Sequence, residues 1–281
     1  MGLKIRQCPG GYTKSQEHYV EKILDKFGLK DAKIVASPGI PSQKLEAWGD
    51  SPLVNRTHYQ EMIGSLLYLA TVSRPDIAFA VTNLARYAKE PRLLHENAVK
   101  RVFKYLKGTA SMGLCYRHKD VGEICGTADA SWDVTEDAKS FSGYVVQLGS
   151  SLVTWKCKKQ NNVALSTCEA ETVALLELVK EVKWMQGFLA ELNEKSCIKY
   201  PIKILSDSQA AIGTIGNSNA HYRTKHFRRA YAFVRDEVQR NNVKLEFVAS
   251  ENNLADMLTK CVFGSQLEIS LKQLSVKQIG T

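Results

Sequence analysis

The chain has 281 residues, of which 44% are hydrophobic and 24% charged, a balance that is typical of a globular protein and argues against disorder. Its formal net charge of +9 favours nucleic acid as partner, ahead of an acidic membrane surface. Seven cysteines without a Cys-x-x-Cys pair argue against a disulfide framework, and the best apolar run, residues 63–72, is too short to span a bilayer. We therefore expect an intracellular protein, cytoplasmic or nuclear, with no membrane partner.

Residues 1–118 are predicted to form a mainly helical subdomain after an opening strand. Apolar residues recur at helical spacing in four segments, residues 12–28, 59–69, 77–88 and 96–107. A connector rich in proline and glycine, residues 31–55, separates the first of these helices from the others. The pattern places a possible subdomain boundary in this connector.

Residues 119–262 show a different pattern, in which strands precede and alternate with helices. Three β-rich runs between turns predict successive antiparallel strands at residues 122–130, 142–148 and 152–155. In chain order there follow a long helix (167–192), a strand (202–205), a short helix, a basic helix (223–240), a strand (243–248) and a terminal helix (254–260). This layout predicts an α/β fold with a mixed five-stranded sheet flanked by helices, and it leaves residues 263–281 as a C-terminal tail.

Four acidic residues lie within these otherwise apolar segments: Asp129, Glu171, Asp207 and Asp256. Carboxylates are costly to bury, and several at one point repel one another unless a cation compensates their charge. Asp129 lies on the first strand of the region and Asp207 at the end of the fourth, so adjacent pairing of these strands would bring the two together. The pattern therefore predicts a divalent metal site.

Two glutamates compete for the third place in this site. Steps of three or four residues from Glu171 reach Ala174, Leu175 and Leu178, the face that must pack on the sheet, whereas the same steps from Glu169 lead to lysines. We therefore prefer Glu171. Asp256 is weak evidence when taken alone, because a single aspartate near a helix start usually caps the helix or is solvated. Asn253 is the residue that we expect to cap this helix.

Carboxylate oxygens are the ligands that Mg²⁺ prefers, with Mn²⁺ as the alternative ion. Cleavage of a phosphodiester requires a nucleophilic water and stabilisation of the charge on the phosphate oxygens and on the leaving oxygen. Two Mg²⁺ ions about 4 Å apart meet these demands. The four acids are therefore compatible with a two-metal nuclease.

The segments around the acids resemble a ribonuclease H domain: residues 126–132, 166–171, 206–211 and 253–256. Further segments extend the resemblance to nearly the whole chain, and they are similar to the C-terminal part of the Pol polyprotein of a copia-type LTR retrotransposon: residues 59–69, 74–78, 104–109, 142–144, 155–156, 158–160 and 223–226. The resemblance implies that residues 1–118 are a thumb- or connection-like remnant of a reverse transcriptase. It implies a ribonuclease H-like domain for residues 119–262.

The resemblance also implies roles for individual residues in Mg²⁺-dependent cleavage of the RNA strand of an RNA–DNA hybrid. Asp129 is then the ligand that bridges two ions, Glu171 and Asp207 bind one ion, and Asp256 binds the other. Contacts to the nucleic acid duplex are expected from Trp155, Lys156, Lys158, Lys159, Ser208, Gln209, Arg223, Lys225, His226 and Arg229, with further candidates at Asn161, Asn162, Arg228 and Arg235.

The sequence departs from the family pattern in two respects. No Tyr-x-Asp-Asp string occurs, so we expect no polymerase activity from this chain alone. Its start suggests a truncated copy or an open reading frame derived from a transposon, and the rest of a reverse transcriptase is a candidate partner. Ser131 stands where a second Asp is frequent, Thr172 where Tyr is common, Arg228 where Asp is frequent and Cys261 where Pro is common. These departures keep open a catalytically inactive, domesticated or degenerate nucleic-acid-binding remnant, and an integrase-like strand transferase is a weaker third hypothesis.

Overall fold

The structure, a computed structural model, describes residues 2–41, 43, 45–46, 50–120, 122–132, 137–217 and 225–279, without the side chains of Lys225 and His226. The chain divides into two compact units, one made of Met1–Lys119 with Lys260–Thr281 and the other of Asp120–Thr259. Among the described residues, no helix combines the length and the apolar character that crossing a membrane requires.

The first unit begins with a hairpin of β1 (Lys4–Cys8) and β2 (Gly11–Ser15), and β3 (Met112–Arg117) pairs with β2 in antiparallel register. The helices of this unit are α1 (Glu17–Lys26), α2 (Arg56–Val72), α3 (Ala78–Ala85) and α4 (Leu93–Gly108). The prediction of helix from residue 12 was therefore wrong for the first residues of that segment. Gly11 permits the strand pairing, since a Cβ atom there would lie 1.9 Å from the carbonyl oxygen of Tyr116.

Two segments that carry the family resemblance meet in a buried polar network of the first unit. The Arg74 side chain is 1% exposed, and its Nη2 lies 2.7 Å from Oδ2 of the fully buried Asp76. Tyr105 donates a hydrogen bond of 2.8 Å to the same carboxylate, and Arg74 also donates to the carbonyl oxygen of Thr109. The network therefore joins the turn after α2 to the end of α4.

The second unit contains a five-stranded sheet whose strand order is β6-β5-β4-β7-β8. Its strands are β4 (Ile124–Ser131), β5 (Phe141–Leu148), β6 (Ser151–Lys159), β7 (Ile202–Ser206) and β8 (Val243–Phe247). The pairs β4–β5 and β5–β6 are antiparallel, whereas β4–β7 and β7–β8 are parallel. The predicted mixed five-stranded sheet is confirmed.

Helices α5 (Thr167–Glu191), α6 (Gln209–Gly216) and α7 (Lys225–Gln239) belong to the same unit. Ser166 caps α5, because its hydroxyl accepts a hydrogen bond from the backbone nitrogen of Glu169. Its buried face packs on the sheet next to Gly126, where a Cβ atom would lie 2.6 Å from Cδ1 of Leu178. The predicted α/β fold class, a mixed sheet flanked by helices, is thus observed.

The C-terminal part of the chain differs from the expected pattern. The predicted helix at 254–260 is a single 3₁₀ turn, Asp256–Leu258, which follows another 3₁₀ turn, Ser250–Asn252. The predicted tail contains α8 (Gly264–Gln273) and β9 (Val276–Gln278). Strand β9 completes the sheet of the first unit by pairing with β3 in antiparallel register.

Candidate metal centre

Three of the predicted acids converge at one end of the sheet of the second unit. Oxygen atoms of Asp129, Asp207 and Asp256 all lie within 4.8 Å of one another. Asp129 is on β4 and Asp207 directly follows β7, and these strands pair in parallel, with Thr127 opposite Leu205. Parallel pairing of adjacent strands thus brings the first two carboxylates together, as the sequence predicted.

Asp129 is 4% exposed, and its carboxylate is held by two side chains from the segment after β8. Asn253 donates from Nδ2 to Oδ1 of Asp129 at 3.4 Å, and the hydroxyl of Thr259 donates to Oδ2. Asn253 is fixed in turn, because its Oδ1 accepts from the backbone nitrogen of Ala255 at 3.0 Å. Asn253, which we expected to cap a helix, therefore orients the central acid of the site.

Gly143 makes room for the segment that carries Asn253 and Thr259. It lies opposite Asp129 in the pairing of β4 with β5. A Cβ atom at this position would lie 2.7 Å from Cβ of Leu258 and 2.9 Å from Cγ2 of Thr259. A side chain on residue 143 would displace the segment that holds Asp129.

Asp207 and Asp256 are less buried than Asp129. Ser250 donates a hydrogen bond of 2.6 Å to Oδ2 of Asp207, which orients this carboxylate from the 3₁₀ turn after β8. Asp256 begins the next 3₁₀ turn. Partial exposure of these two acids leaves an approach to the site from solvent.

Glu171 lies in the first turns of α5, beside the three aspartates. Its side chain is 7% exposed, and Oε1 accepts a hydrogen bond of 3.2 Å from the backbone nitrogen of Ala130. Burial, and then the negative charges of Asp129 and Asp207, raise the pKa of Glu171 to about 9. Its Oε2 is buried and has no hydrogen-bond partner among the described residues, so this oxygen fits a ligand of a cation.

Glu169 has a different environment. Its Oε2 accepts a hydrogen bond of 2.8 Å from the backbone nitrogen of Leu165, so its carboxylate helps to cap the start of α5. Helix phase predicted that Glu171, and not Glu169, faces the sheet, and the structure buries Glu171 accordingly. The assignment of Glu171 as a metal ligand stays a prediction.

The predicted nucleic-acid contacts on β6 lie on two faces of the sheet. Lys156 and Lys158 are on the side of α5, where Nζ of each lies 3.9 Å from Oε2 of Glu177. Alternation along the strand directs Trp155 and Lys159 to the opposite side, where Lys159 pairs with Asp137 at 2.7 Å. The four residues therefore do not form one continuous surface.

Of the other predicted contacts, those that the structure describes lie at the start of α6 and on α7. The hydroxyl of Ser208 caps α6 by accepting from the backbone nitrogen of Ala211 at 3.2 Å, and Gln209 is exposed beside it. Arg229 is exposed on α7, as is Arg228. Arg223 lies outside the described residues, and so do the side chains of Lys225 and His226. Their roles as nucleic-acid contacts stay predictions.

Sequence reasoning missed Thr259 and Ser250 and gave Asn253 another role. Thr259 could have been found only from its position, because it follows Asp256 by three residues and therefore lies one helical turn away. Ser250 carried no signal, because its contact with Asp207 spans 43 residues of sequence.

No protein-family model matches the chain. A solved foamy viral protease-reverse transcriptase, in complex with RNA/DNA hybrid, is 10% identical with a TM-score of 0.48, covering 89% of this chain and 29% of that one.

The chain is 34% identical over 261 residues to the retrovirus-related Pol polyprotein from transposon RE2 of Arabidopsis thaliana, which covers 92% of this chain and 18% of the relative. It is 36% identical over 264 residues to the Pol polyprotein from transposon TNT 1-94 of Nicotiana tabacum, covering 91% of this chain and 19% of the relative. The chain thus spans about a fifth of the length of these relatives. It belongs to the family of retrovirus-related Pol polyproteins of copia-type transposons.

Proposed function

We propose that this chain is a ribonuclease H-type endonuclease that hydrolyses the RNA strand of RNA–DNA hybrids with two Mg²⁺ ions. The observation that carries the proposal is the convergence of Asp129, Asp207 and Asp256, whose oxygens lie within 4.8 Å of one another, beside the buried Glu171. Such a cluster of carboxylates is the oxygen-rich donor set that Mg²⁺ prefers. Mn²⁺ is the alternative ion.

The proposed roles of the acids follow the family resemblance. Asp129 would bridge the two ions, Glu171 and Asp207 would bind one, and Asp256 would bind the other. Bound ions supply an activated water and stabilise the charge on the phosphate and leaving oxygens. Asn253 and Thr259 hold the carboxylate of Asp129 in one orientation.

The substrate and partners belong to the same proposal. The net charge of +9 favours a nucleic acid duplex, and exposed Arg229 and the half-exposed lysines of β6 are available for phosphate contacts. We propose the rest of a reverse transcriptase as a further partner, following the family resemblance. Action in the cytoplasm or nucleus stays a prediction.

The second candidate function is nucleic-acid binding without catalysis. The departures from the family pattern at Ser131, Thr172, Arg228 and Cys261 favour it. None of these positions is one of the four acids, so the metal site is left with its complete donor set. We therefore place the enzymatic proposal first.

Cleavage of a labelled hybrid separates the two functions. The purified chain is incubated in Mg²⁺ with an RNA–DNA hybrid labelled on the RNA strand, together with the Asp207→Asn variant. Asp236→Asn is the matched control, since Asp236 is a half-exposed acid of α7 that pairs with Arg240. We expect the wild type and Asp236→Asn to cut at similar rates and Asp207→Asn to lose nearly all activity.

If the wild type cuts no faster than Asp207→Asn, the enzymatic proposal is wrong. Affinity for the hybrid that falls with added salt and is equal in both proteins would then support the binding function.

A further inference from the structure

The second half of α5 presents an apolar face to solvent. The outward positions of this face recur in steps of three or four residues, and all of them are exposed: Lys180, Trp184, Gly187, Phe188 and Glu191. Trp184 is 59% exposed and Phe188 is 43% exposed. The outward face of a helix on a globular protein is normally polar, so an apolar outward face indicates a contact surface.

The two aromatic rings of this face lie against each other. The rings of Trp184 and Phe188 are stacked, with their centroids 5.4 Å apart and an angle of 9° between their planes. Phe188 follows Trp184 by one helical turn, so it supports the indole on the surface of the helix. An aromatic side chain that is already held in place loses little conformational entropy when a partner covers it.

Gly187 leaves a gap beside this indole. A Cβ atom on Gly187 would have no neighbouring atom within 4 Å among the described residues. Glycine destabilises the interior of a helix relative to alanine, and no described part of the chain approaches Gly187 closely enough to require it. Gly187 therefore leaves room for a side chain from another molecule.

The two ends of the face carry opposite charges. Three lysines surround the carboxylate of Glu177 at one end, at 3.9, 3.9 and 3.1 Å respectively: Lys156, Lys158 and Lys180. The exposed charged residues at the other end have a net negative charge: Glu191, Glu194 and Lys195. A copy of this face turned by 180° would therefore place positive charge against negative charge at both ends.

One two-fold axis pairs all of these features. If two α5 helices lie antiparallel and the axis passes midway between Trp184 and Gly187, the indole of each copy faces the gap at Gly187 of the other. The same axis places Lys180 of each copy opposite Glu191 of the other, because both pairs have the same midpoint in the sequence.

The spacing of these four residues is that of a helix that packs on a second helix. Steps of four, three and four residues lead from Lys180 through Trp184 and Gly187 to Glu191. Such steps keep the four positions within about 60° of the helix circumference. They also follow the seam of a two-helix coiled coil, whose positions face the partner helix.

We propose that the chain forms a symmetric dimer through this face, with a second copy of the chain as the partner. Trp184 of each copy occupies the gap at Gly187 of the other, and Lys180 pairs with Glu191 twice across the axis. One pair of helices is a small interface, so we expect weak association with Kd in the micromolar range. The dimer is independent of the proposed nuclease, because none of the four acids lies on this face.

Analytical ultracentrifugation of the full chain, freed of nucleic acid and kept in reductant, measures this association. Gly187→Gln fills the gap, and we expect it to weaken the dimer at least about tenfold. Gly213→Gln is the matched control and should dimerise as the wild type does, because Gly213 is an exposed helical glycine of α6 with equally open space around its Cβ position. A wild type that stays monomeric up to about 0.5 mM, or equal association of the two variants, would overturn the proposal.

Exchange of the charges tests the two-fold pairing. Lys180→Glu brings two acids together across the axis, and Glu191→Lys brings two lysines together. Each contact occurs twice, so we expect either variant to weaken the dimer about fivefold. The double variant Lys180→Glu/Glu191→Lys restores opposite charges and should recover most of the association. A double variant that is as weak as the single variants would contradict the proposed pairing.

Cross-linking locates the contact within the dimer. Lys180 and Glu191 are 11 residues apart in α5, about 16 Å along the helix, so a direct amide bond joins them only between two copies. A mixture of ¹⁴N- and ¹⁵N-labelled chains treated with a carbodiimide should give Lys180–Glu191 peptide pairs of mixed isotope content in mass spectrometry. Cross-linked dimers without this pair would show that another face makes the contact and would overturn the proposal.

Discussion

The carboxylate of Asp129 owes its orientation to two neutral donors, Asn253 and Thr259. Groups that orient a ligand typically change metal affinity or activity by about 10–100-fold when they are removed. We expect Thr259→Val, which keeps the side-chain shape but lacks the hydroxyl, to lower the cleavage rate by about this factor. Thr259→Ser is the control that keeps the donor and should retain most activity. Equal loss in both variants would show that packing, and not the hydrogen bond, is what matters.

The ionisation of Glu171 predicts how stability depends on pH. Its pKa is about 9 in the folded, metal-free protein, because burial and neighbouring carboxylates disfavour its charge. The folded state therefore holds a proton that the unfolded state has lost, so this group lowers the free energy of unfolding as pH rises from about 4.5 to 9. The melting temperature, measured in chelator, should fall over this range in the wild type and fall less in Glu171→Gln.

Added Mg²⁺ provides the control for this pH dependence. A cation favours the charged carboxylate, so Mg²⁺ should raise the melting temperature more at pH 9 than at pH 5. If the melting temperature falls equally with pH in the wild type and in Glu171→Gln, the raised pKa of Glu171 does not control the stability of this site.

At the scale of elements, Gly143 couples β5 to the segment that holds Asp129. Gly143→Ala would bring Cβ within 3 Å of atoms of Leu258 and Thr259, and we expect destabilisation of about 1–3 kcal/mol with reduced cleavage. Gly213→Ala is the control, because a Cβ atom on this exposed residue of α6 would have no neighbouring atom within 4 Å among the described residues. It should stabilise the protein by about 0.5–1 kcal/mol in chemical denaturation, since alanine favours a helix. Destabilisation by both variants to the same extent would argue against a special role of Gly143.

The buried pair of Arg74 and Asp76 holds the turn after α2 against α4. Removing one partner leaves a buried charge without compensation, so Asp76→Ala should lower the free energy of unfolding by about 3–5 kcal/mol. Asp25→Ala removes an exposed partner of Lys30 and should change it by less than about 1 kcal/mol. Chemical denaturation measures both, and a small effect of Asp76→Ala would show that the network adds little stability.

Elements that depend on local patterns were predictable from the sequence, and elements that depend on distant partners were not. The stripe of Ala174, Leu175 and Leu178 predicted which face of α5 is buried, and with it the environment of Glu171. Strand β2 was predicted as helix, because its pairing with β3 involves residues about 100 positions away. Strand β9 likewise depends on β3, so the segment 263–281 carried no recognisable strand pattern.

The residues of the candidate site also divide into those that were predictable from the sequence and those that were not. Strand order predicted that Asp129 and Asp207 meet, since β4 and β7 pair in parallel. The donors Ser250 and Thr259 were not predictable. Ser250 begins a 3₁₀ turn that precedes the expected helix, and Thr259 directly follows a single 3₁₀ turn where that helix was expected. Side-chain contacts across a turn leave no period in the sequence.

At the scale of the whole molecule, the chain contains two compact units, each with its own sheet. All four acids lie in the unit Asp120–Thr259, so the proposed chemistry requires no catalytic residue from the other unit. The domain limits at residues 118 and 262, and the assignment of the first part as a reverse transcriptase remnant, stay predictions.

The central claim is that these acids form a two-metal centre, and the number of bound Mn²⁺ ions tests it most directly. Electron paramagnetic resonance measures free Mn²⁺ in titrations of the wild type and Asp129→Asn, each with a DNA duplex that is not cleaved. The account predicts that the wild type binds two more ions per chain than Asp129→Asn, because in the proposed site Asp129 would bridge both ions. Equal numbers of ions in the two proteins would contradict it.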